Sequence, residues 1–533
     1  YLLNLLLEIL RVINSLIYMS KKINILLFLI VSLLIVLTVV IQSSLQHWSA
    51  QWDLDFWYIY NASLMSSGIQ QEWYDHPATT ILSLYSFFYK IYSLFDYSFI
   101  YKINEIKDAS NPNFVLQKLY FVTRIFDSIN IILIIFFTFK VSRILSSNNF
   151  YAYFLTLTLI FSAAFFTNLS LLGPEDWAIL FFLISFYYFL RFFIESKITF
   201  LILSGIFFLF SFFSKISILF LFIFIIALIP LFYEIYSKKK ESFLQKIIEK
   251  KFLILFSGYL ILLLIYSIIQ IFIFSKLAPF EKNAGLDAIM IFILNFSYMI
   301  FFLIISKFNI IRFKKYFSIF LIFFLGFFIG LFILVILDIF NITTLNPRLI
   351  FHVTNPFNEM MRFVVVEGSS IKAANLLDST LVVLKAIFSN FMFDKFLLFF
   401  LLLVVLISFY EDKKNKNLYN FLFKLIILLC LVINILIFNF RFFNEYAIYA
   451  YALYIILFSV CLKNLSVKIA SIFCIILFFY TPVFVTTQNF DNFYNLLKTR
   501  PSILEETLCK NSLDSFKYYS KKFNESTYKK LCN

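Results

Sequence analysis

Long apolar runs, separated by short polar stretches, repeat along almost the whole chain. Each run reaches or approaches the roughly 20 residues that a helix needs to cross the hydrocarbon core of a bilayer. We therefore expect an all-α polytopic membrane protein, with its two termini on opposite sides if the number of spans is odd. The runs predict about thirteen spans, at residues 23–42, 124–140, 150–168, 177–194, 198–214, 216–236, 252–274, 288–305, 317–339, 390–410, 424–440, 446–462 and 469–487.

Basic residues fall on one side of the membrane when the predicted loops are taken alternately. Lys and Arg collect in cytoplasmic loops and set the orientation of a membrane protein. The pattern predicts a cytoplasmic N-terminus in a bacterial inner (plasma) membrane, with the loops 43–123 and 341–389 and the tail 488–533 on the external, periplasmic side. The basic stretches that share the cytoplasmic side lie at 21–22, 140–143, 191–197, 238–251, 307–315, 413–416 and 463–468.

The composition agrees with a membrane protein and limits which kinds of partner and cofactor we expect. Of the 533 residues, 62% are hydrophobic and 14% are charged, so most of the chain faces membrane lipids or other helices. The net charge of +15 is explained by the cytoplasmic loops, and we expect no nucleic-acid partner. With 3 histidines and no CxxC pair, a metal held by imidazole or thiolate is not expected. No cofactor is required, and a divalent cation stays an open alternative.

The chain divides into three parts. Residues 1–20 are interpreted as an N-terminal extension of uncertain role, because Met19 immediately precedes a strong hydrophobic run. Residues 21–487 form the transmembrane module, and 488–533 form the external tail. Three cysteines fall in predicted spans, where packing is their simplest role: Cys430, Cys461 and Cys474. Cys509 and Cys532 share the external tail, where an oxidising compartment permits a disulfide between them.

The loop 43–123 is too long for a simple turn and too apolar for a linker. From Pro77 onward its apolar positions form a broad face, while Thr79, Ser83 and Ser86 are polar, which predicts a helix in the membrane interface. A second helix is predicted after Pro112 and leads into the second span. The loop must therefore carry structure of its own.

Carboxylates in this loop are the strongest chemical signal of the sequence. Asp53 and Asp55 flank Leu54, and the stretch Tyr74-Asp75-His76-Pro77 follows. Acidic groups beside a membrane are costly and are retained for a purpose. Transfer of a sugar to a hydroxyl needs a carboxylate to take the acceptor proton and a positive group for the departing phosphate. Alternatively, either aspartate holds the loop through backbone hydrogen bonds.

Other ionisable residues lie near the predicted external ends of spans, where they outline the mouth of an outward-facing cavity. The alternative is that they mark the water boundary of each helix. These residues are Arg124, Asp127, Asp338, Asp394, Lys395, Arg441 and Glu445.

Three stretches resemble the GT-C glycosyltransferases, in the group of the protein mannosyltransferases and aminoarabinose transferases. The first joins Asp-x-Asp at 53–55, the tyrosines at 58 and 60, the short segment 61–68 that ends in Gly, and Tyr-Asp-His-Pro-Ala at 74–78. The second is Gly-Pro-Glu-Asp-Trp at 173–177, and the third is Ser-Gly at 204–205 followed by Ser-Lys at 214–215. The resemblance covers residues 20–240. It implies a GT-C-type bundle with interfacial helices, an active site outside the cytoplasm and a polyprenyl-phosphate sugar donor.

The sequence departs from the family at two positions. His76 stands where the family often has lysine, and its charge near neutral pH is conditional. Ala78 replaces a second proline. Binding of the donor phosphate would then depend on Lys215, which resembles the family's lysine near the phosphate, or on Arg348 of the later external loop.

The resemblance and the residues together predict an inverting glycosyltransferase that moves a sugar to a lipid-linked glycan, a lipid or a protein acceptor. Asp53 or Asp55 would be the general base, and Glu175 or Asp176 would orient the acceptor or the base. The expected phosphate-binding residues are His76, Lys215 and Arg348, and those beside donor and acceptor are Asp75, Tyr58 and Tyr60.

Two other functions remain open from the sequence. A lipid-glycan flippase or transporter also needs a polar cavity that opens outward, but it should hold its substrate at the membrane midplane between interrupted helices. A glycan polymerase or ligase would depend instead on arginines of the loop 341–389.

Overall fold

Helices account for nearly all of the computed structural model, and no strand occurs among the residues it describes. The described residues are 21–48, 55–72, 78–160, 172–215, 218–236, 286–339, 395–439, 447–463 and 520–532, with parts of 254–268 and 465–477 and the single positions 162, 165 and 517. The helices are α1 (Lys21–Leu45), α2 (Trp57–Ser66), α3 (Thr79–Phe95), α4 (Ile103–Asp108), α5 (Pro112–Ser146), α6 (Asn149–Ile160), α7 (Pro174–Glu195), α8 (Ile198–Ser214), α9 (Leu219–Tyr236), α10 (Leu286–Ile305), α11 (Ile310–Ile339), α12 (Lys395–Lys414), α13 (Leu418–Asn439), α14 (Ala447–Lys463) and α15 (Glu525–Cys532).

Within the described part of the chain, 4 helical segments are long and apolar enough to cross a membrane: Pro112–Ser146, Pro174–Glu195, Ile310–Ile339 and Leu418–Ile435. Shorter apolar helices, among them Phe28–Ile41 and Ile198–Ser214, accompany them. The predicted all-α membrane class is confirmed to this extent. The count of about thirteen spans stays a prediction.

The ends of the helices differ from the predicted spans because polar residues extend the apolar runs. Helix α5 begins at Pro112, with Asn111 as its cap accepting the N–H of Phe114 at 3.0 Å, so the predicted helix and the second span are one element. Proline suits the first turn, where its missing N–H would have no helical partner. Helix α11 likewise begins at Ile310 rather than 317.

The predicted interfacial helix exists as α3, but its polar side faces inward. Ser83 and Ser86 are buried, whereas Leu94 and Phe95 are exposed. The hydroxyl of Ser66 on α2 donates to that of Ser86 at 3.0 Å. In a protein whose surroundings are apolar, polar side chains lose least when they pair inside the bundle. The interior polar face joins α3 to α2.

Helices α7, α8 and α11 pack at very short range. A Cβ atom at Gly205 of α8 would collide with the backbone oxygen of Phe323 on α11, and one at Gly326 with the backbone oxygen of Ile202. Small residues of this kind let helix backbones approach closely within a membrane. On its other side, α8 exchanges hydrogen bonds with α7, where Ser185 and Ser204 each donate to the other's backbone carbonyl at 2.8 Å. The pairing sets the end of α8 beside the start of α7.

A buried ion pair lies between α12 and α13. The sequence placed Lys424 at the start of a span, but α13 begins at Leu418, and the ammonium group is fully enclosed against Asp412 and Ser408. The three cysteines predicted to be packing residues, Cys430, Cys461 and Cys474, are buried as expected. The disulfide between Cys509 and Cys532 stays a prediction, because Cys509 and the side chain of Cys532 lie outside the described residues.

Residues 520–532, which we call the C-terminal segment, lie on the loop 43–123. The hydroxyl of Thr527 donates to the carbonyl of Lys107 at 3.4 Å, and the ammonium of Lys530 donates to that of Ala109 at 3.1 Å. Helix α15 thus packs where α4 meets α5. The end of the chain and its first long loop form one local structure.

Candidate functional site

Polar side chains from three helices and from residues flanking two others meet in what we call the buried polar cluster. It lies where Asp55, two residues before α2, comes together with α3, α5, the first turn of α7 and the residue after α8. Its members are at most 5% exposed, and they are Asp55, Tyr85, Tyr120, Arg124, Asp127, Glu175, Asp176, Trp177 and Lys215. So many ionisable groups inside an apolar protein mark this as the candidate site.

Asp55 joins two distant parts of the chain. Its Oδ1 accepts the backbone N–H of Leu172 at 2.7 Å, across 117 residues of sequence. Burial is the main reason that the pKa of the carboxyl group is raised from its ordinary 3.8 to about 7; Arg124 and the Leu172 N–H lower this pKa, and the nearby charge of Asp127 raises it. Desolvation outweighs the favourable partners. The carboxyl group can therefore gain or lose a proton near neutral pH.

Helix α5 supplies three members of the cluster from one face. Tyr120, Arg124 and Asp127 are spaced four and three residues apart, which places them on the same side of the helix. The Arg124 guanidinium lies 3.7 Å from Oδ2 of Asp127, and neither side chain exceeds 1% exposure. Oδ1 of Asp127 accepts the indole N–H of Trp177 at 3.0 Å and the hydroxyl of Tyr85 at 3.3 Å. Asp127 is thereby fixed by three helices.

Glu175 and Lys215 form a second buried ion pair. Glu175 lies in the first turn of α7, where the helix dipole favours a carboxylate, and Lys215 follows the last residue of α8. Because α7 and α8 run antiparallel, these two ends meet. Nζ of Lys215 lies 2.8 Å from Oε1 of Glu175, and both side chains are 2% exposed. Asp176, also in that first turn, is 1% exposed.

The structure brings together four of the site residues predicted from the sequence: Asp55, Glu175, Asp176 and Lys215. Tyr58 and Tyr60 are buried in α2. The hydroxyl of Tyr60 donates to Glu72 at 2.8 Å, so this residue belongs to the contact between the loop and the C-terminal segment. The other predicted residues, Asp53, Asp75, His76 and Arg348, lie outside the described part of the chain.

The sequence missed the aromatic members of the cluster and misjudged the position of two charged ones. Arg124 and Asp127 were expected at the mouth of a cavity or at the water boundary, but both are 0% exposed. Their helical spacing from Tyr120 within an apolar run was the available signal. Trp177 was noted only as part of the stretch 173–177, and nothing local marked Tyr85; both join the cluster through the packing of α3 and α7 on α5.

The cluster offers a protonatable carboxyl group next to fixed cations. Asp55 can take up a proton, and Arg124 and Lys215 each lie against a carboxylate of the cluster. No group of three or more His, Cys, Asp or Glu side chains suited to a metal ion is found in the described ranges. The arrangement is suited to acid–base chemistry at Asp55.

No protein-family model matches this chain, and no curated protein matches it.

Proposed function

We propose that this protein is an integral-membrane inverting glycosyltransferase of GT-C type, which moves a sugar from a polyprenyl-phosphate donor to a hydroxyl acceptor on the external side. The observation that carries the proposal is the position of Asp55, a buried carboxyl group near the ion pair Arg124–Asp127. Its hydrogen bond to Leu172 ties it to the segment that leads into Glu175, the partner of Lys215. Burying five ionisable side chains together is costly, and function is the simplest reason for the cost.

In the proposed reaction, the oxygen of an acceptor hydroxyl attacks the anomeric carbon of the donor sugar. The bond between that carbon and the phosphate oxygen breaks, and its electron pair leaves with the polyprenyl phosphate. The hydroxyl proton passes to the carboxylate of Asp55. Attack from the face opposite the phosphate inverts the anomeric configuration. Asp53, which lies outside the described residues, remains the alternative base.

The cations are proposed to act on the leaving phosphate. Negative charge grows on the phosphate oxygen as the bond breaks, and a fixed ammonium or guanidinium group stabilises it in a site from which water is excluded. Lys215 is the proposed phosphate-binding residue, with His76 and Arg348 as further candidates from the sequence. Glu175 would hold the Lys215 ammonium in position, and Asp176 would orient the acceptor.

The donor class follows from the proposed sidedness. The loop 43–123 is predicted to lie outside the cytoplasm, where nucleotide sugars are absent, so the sugar would arrive on a lipid carrier. The acceptor would be a lipid-linked glycan, a lipid or a protein. A flippase remains the second candidate from the sequence, but the described ionisable groups of the site gather at one end of α7 and α8, and only serines pair midway along these helices.

The test is sugar transfer in proteoliposomes from synthetic polyprenyl-phosphate hexoses and pentoses. Asp55→Asn keeps the shape of the side chain but cannot accept the proton at neutral pH, so turnover should fall by roughly 10²–10⁴ while donor binding is retained. The matched control is Asp108→Asn, an exposed aspartate of the same loop. Asp53→Asn is measured in parallel. Normal transfer by both Asp53→Asn and Asp55→Asn would overturn the assignment of the base, and lipid-glycan translocation without a new glycosidic bond would identify a flippase.

A further inference from the structure

The C-terminal segment reaches the helix that follows Asp55. Oε2 of Glu72 accepts the hydroxyl of Tyr60 at 2.8 Å and the backbone N–H of Lys521 at 2.9 Å. The same tyrosine oxygen accepts the backbone N–H of Lys522 at 3.1 Å. One carboxylate and one hydroxyl therefore link α2 to residues that are 449 positions away from Glu72 in the sequence.

An aromatic contact accompanies these hydrogen bonds. The ring of Phe523 lies 5.3 Å from that of Tyr60 and 6.5 Å from that of Phe56, measured between ring centres. Phe56 directly follows Asp55, and its ring lies 5.2 Å from that of Trp48 at the end of α1. Phe523 is only 6% exposed. The segment thus touches the neighbour of the candidate base.

The C-terminal segment has an internal structure that suits this role. Asn524 caps α15 by accepting the N–H of Thr527 at 2.8 Å, and the hydroxyl of Tyr528 donates to the carbonyl of Ser520 at 2.6 Å. Ser520 and Thr527 are fully buried. Capping and a closed turn hold Phe523 in one direction. The segment is a compact turn and helix, fixed at α2 and α4.

We propose that the C-terminal segment is a positioning element of the candidate active site. Phe523 of the segment and Glu72 of the loop are the positioning residues: they hold the start of α2, so that Asp55 keeps its place against Leu172. This inference rests on the proposed function for its kinetic consequence but not for its structural one. The segment touches no member of the buried polar cluster through any described contact; it acts through Phe56 and Tyr60.

The variants separate positioning from general destabilisation. Glu72→Ala removes the shared acceptor, whereas Glu72→Gln keeps an oxygen that can accept both hydrogen bonds. If Asp55 shifts by about 1 Å, kcat should fall about tenfold or more in Glu72→Ala and Phe523→Ala, with KM for the donor changed less than about twofold. Glu72→Gln should restore kcat to within about twofold. Matched controls are Glu105→Ala and Phe114→Ala, whose side chains are exposed in the same region.

A second measurement does not depend on catalysis. In a background with Cys509→Ser and Cys532→Ser, the thiol of Asp55→Cys is labelled from outside with a small charged reagent. Labelling should be slow, and about tenfold faster when Glu72→Ala is added, because opening of a local contact sets the rate. Glu105→Ala should leave the rate unchanged.

The outcomes distinguish the two proposals. If wild-type protein transfers no sugar, the proposed function fails, and the labelling rates alone decide the role of the segment. If Glu72→Ala transfers at the wild-type rate while Asp55→Asn does not, the function stands and the positioning role is overturned. Should Glu72→Ala not fold, the double variant Glu72→Cys with Lys521→Cys is used instead, in which a disulfide links positions 72 and 521. If its activity does not fall when the disulfide is reduced, the positioning role is likewise overturned.

Discussion

Lys215 and Glu175 form an ion pair of 2.8 Å in which neither side chain reaches bulk water, each being 2% exposed. A buried charge without its partner is far more costly than a buried pair. The two residues stabilise each other whether or not either meets a substrate. A variant of one residue alone therefore tests the stability of the pair, whereas a variant of both residues tests its function.

We expect Lys215→Met to lower the free energy of unfolding by about 3–5 kcal/mol, because it leaves the Glu175 carboxylate buried alone. The double variant Lys215→Met with Glu175→Gln should recover most of that loss. Thermal unfolding in detergent measures both. If Lys215 also binds the donor phosphate, the double variant will be folded yet will bind donor weakly. A double variant that is stable and binds donor normally would remove Lys215 from the site.

The pKa of Asp55 predicts opposite effects of pH on turnover and on stability. As a base it must be ionised, so kcat/KM, which reports the pKa values of the free enzyme, should rise as pH increases through about 7. Stability should instead decline between about 4 and about 7, because the folded protein holds a proton that the unfolded chain, with its carboxyl pKa at 3.8, has already released. The charges of Arg124 and Asp127 and a hydrogen bond from Tyr120, all on α5, act on this titration.

A pH profile of transfer, compared with pH-dependent unfolding of wild type and Asp55→Asn, checks this prediction. The variant should lack the stability decline in that pH range. A rate that falls on the alkaline side of 7 while Asp55→Asn keeps the wild-type unfolding profile would contradict it.

Gly205 should not tolerate a side chain. Its Cβ would meet the backbone of α11, which cannot move aside as a flexible side chain can, so Gly205→Ala should destabilise by at least about 1–3 kcal/mol. Gly258→Ala is the matched control, since a Cβ there meets nothing within 4 Å. Denaturation in detergent measures the difference. Equal stability of the two variants would show that α8 and α11 are not in such close contact.

Sidedness can be tested from the contact between the loop and the C-terminal segment. We expect cysteines at Asp108→Cys and Ser526→Cys to react with an impermeant reagent in intact cells, since both positions are exposed on one local structure. Lys414→Cys should react only after permeabilisation, as the distribution of basic residues predicts. Labelling of Lys414→Cys from outside would reverse the predicted orientation.

The sequence was most informative where a local rule applies. Long apolar runs predicted the helices, and Asn111-Pro112 predicted the start of α5, because capping and span length depend on neighbouring residues alone. It was least informative about which way polar residues face. Ser83 and Ser86 looked solvent-facing, but both are buried, and the partner of Ser86 lies on another helix.

In the candidate site, too, the residue types could be predicted from the sequence, but their contacts could not. Asp55, Glu175 and Lys215 were chosen from their residue types and order, and the structure brings them to one place. The contact between Asp55 and Leu172, and the attachment of Asp127 to Trp177, depend on helix packing across long stretches of sequence. No single segment of the sequence contains that information, so the contacts of Asp127 with Trp177 and Tyr85 could not be predicted beforehand.

The hydrogen bond that the Lys521 backbone N–H donates to Glu72 imposes an order on assembly. Nearly the whole chain is synthesised between these two residues, and closure of such a long loop costs little more than closure of a shorter one. The helix after Asp55 therefore gains these contacts only when residues 520–532 have been made and delivered to the same side of the membrane. A chain interrupted before residue 520 would insert its helices but leave this end of the bundle unfinished, so synthesis of the C-terminal segment would be a condition for a finished site.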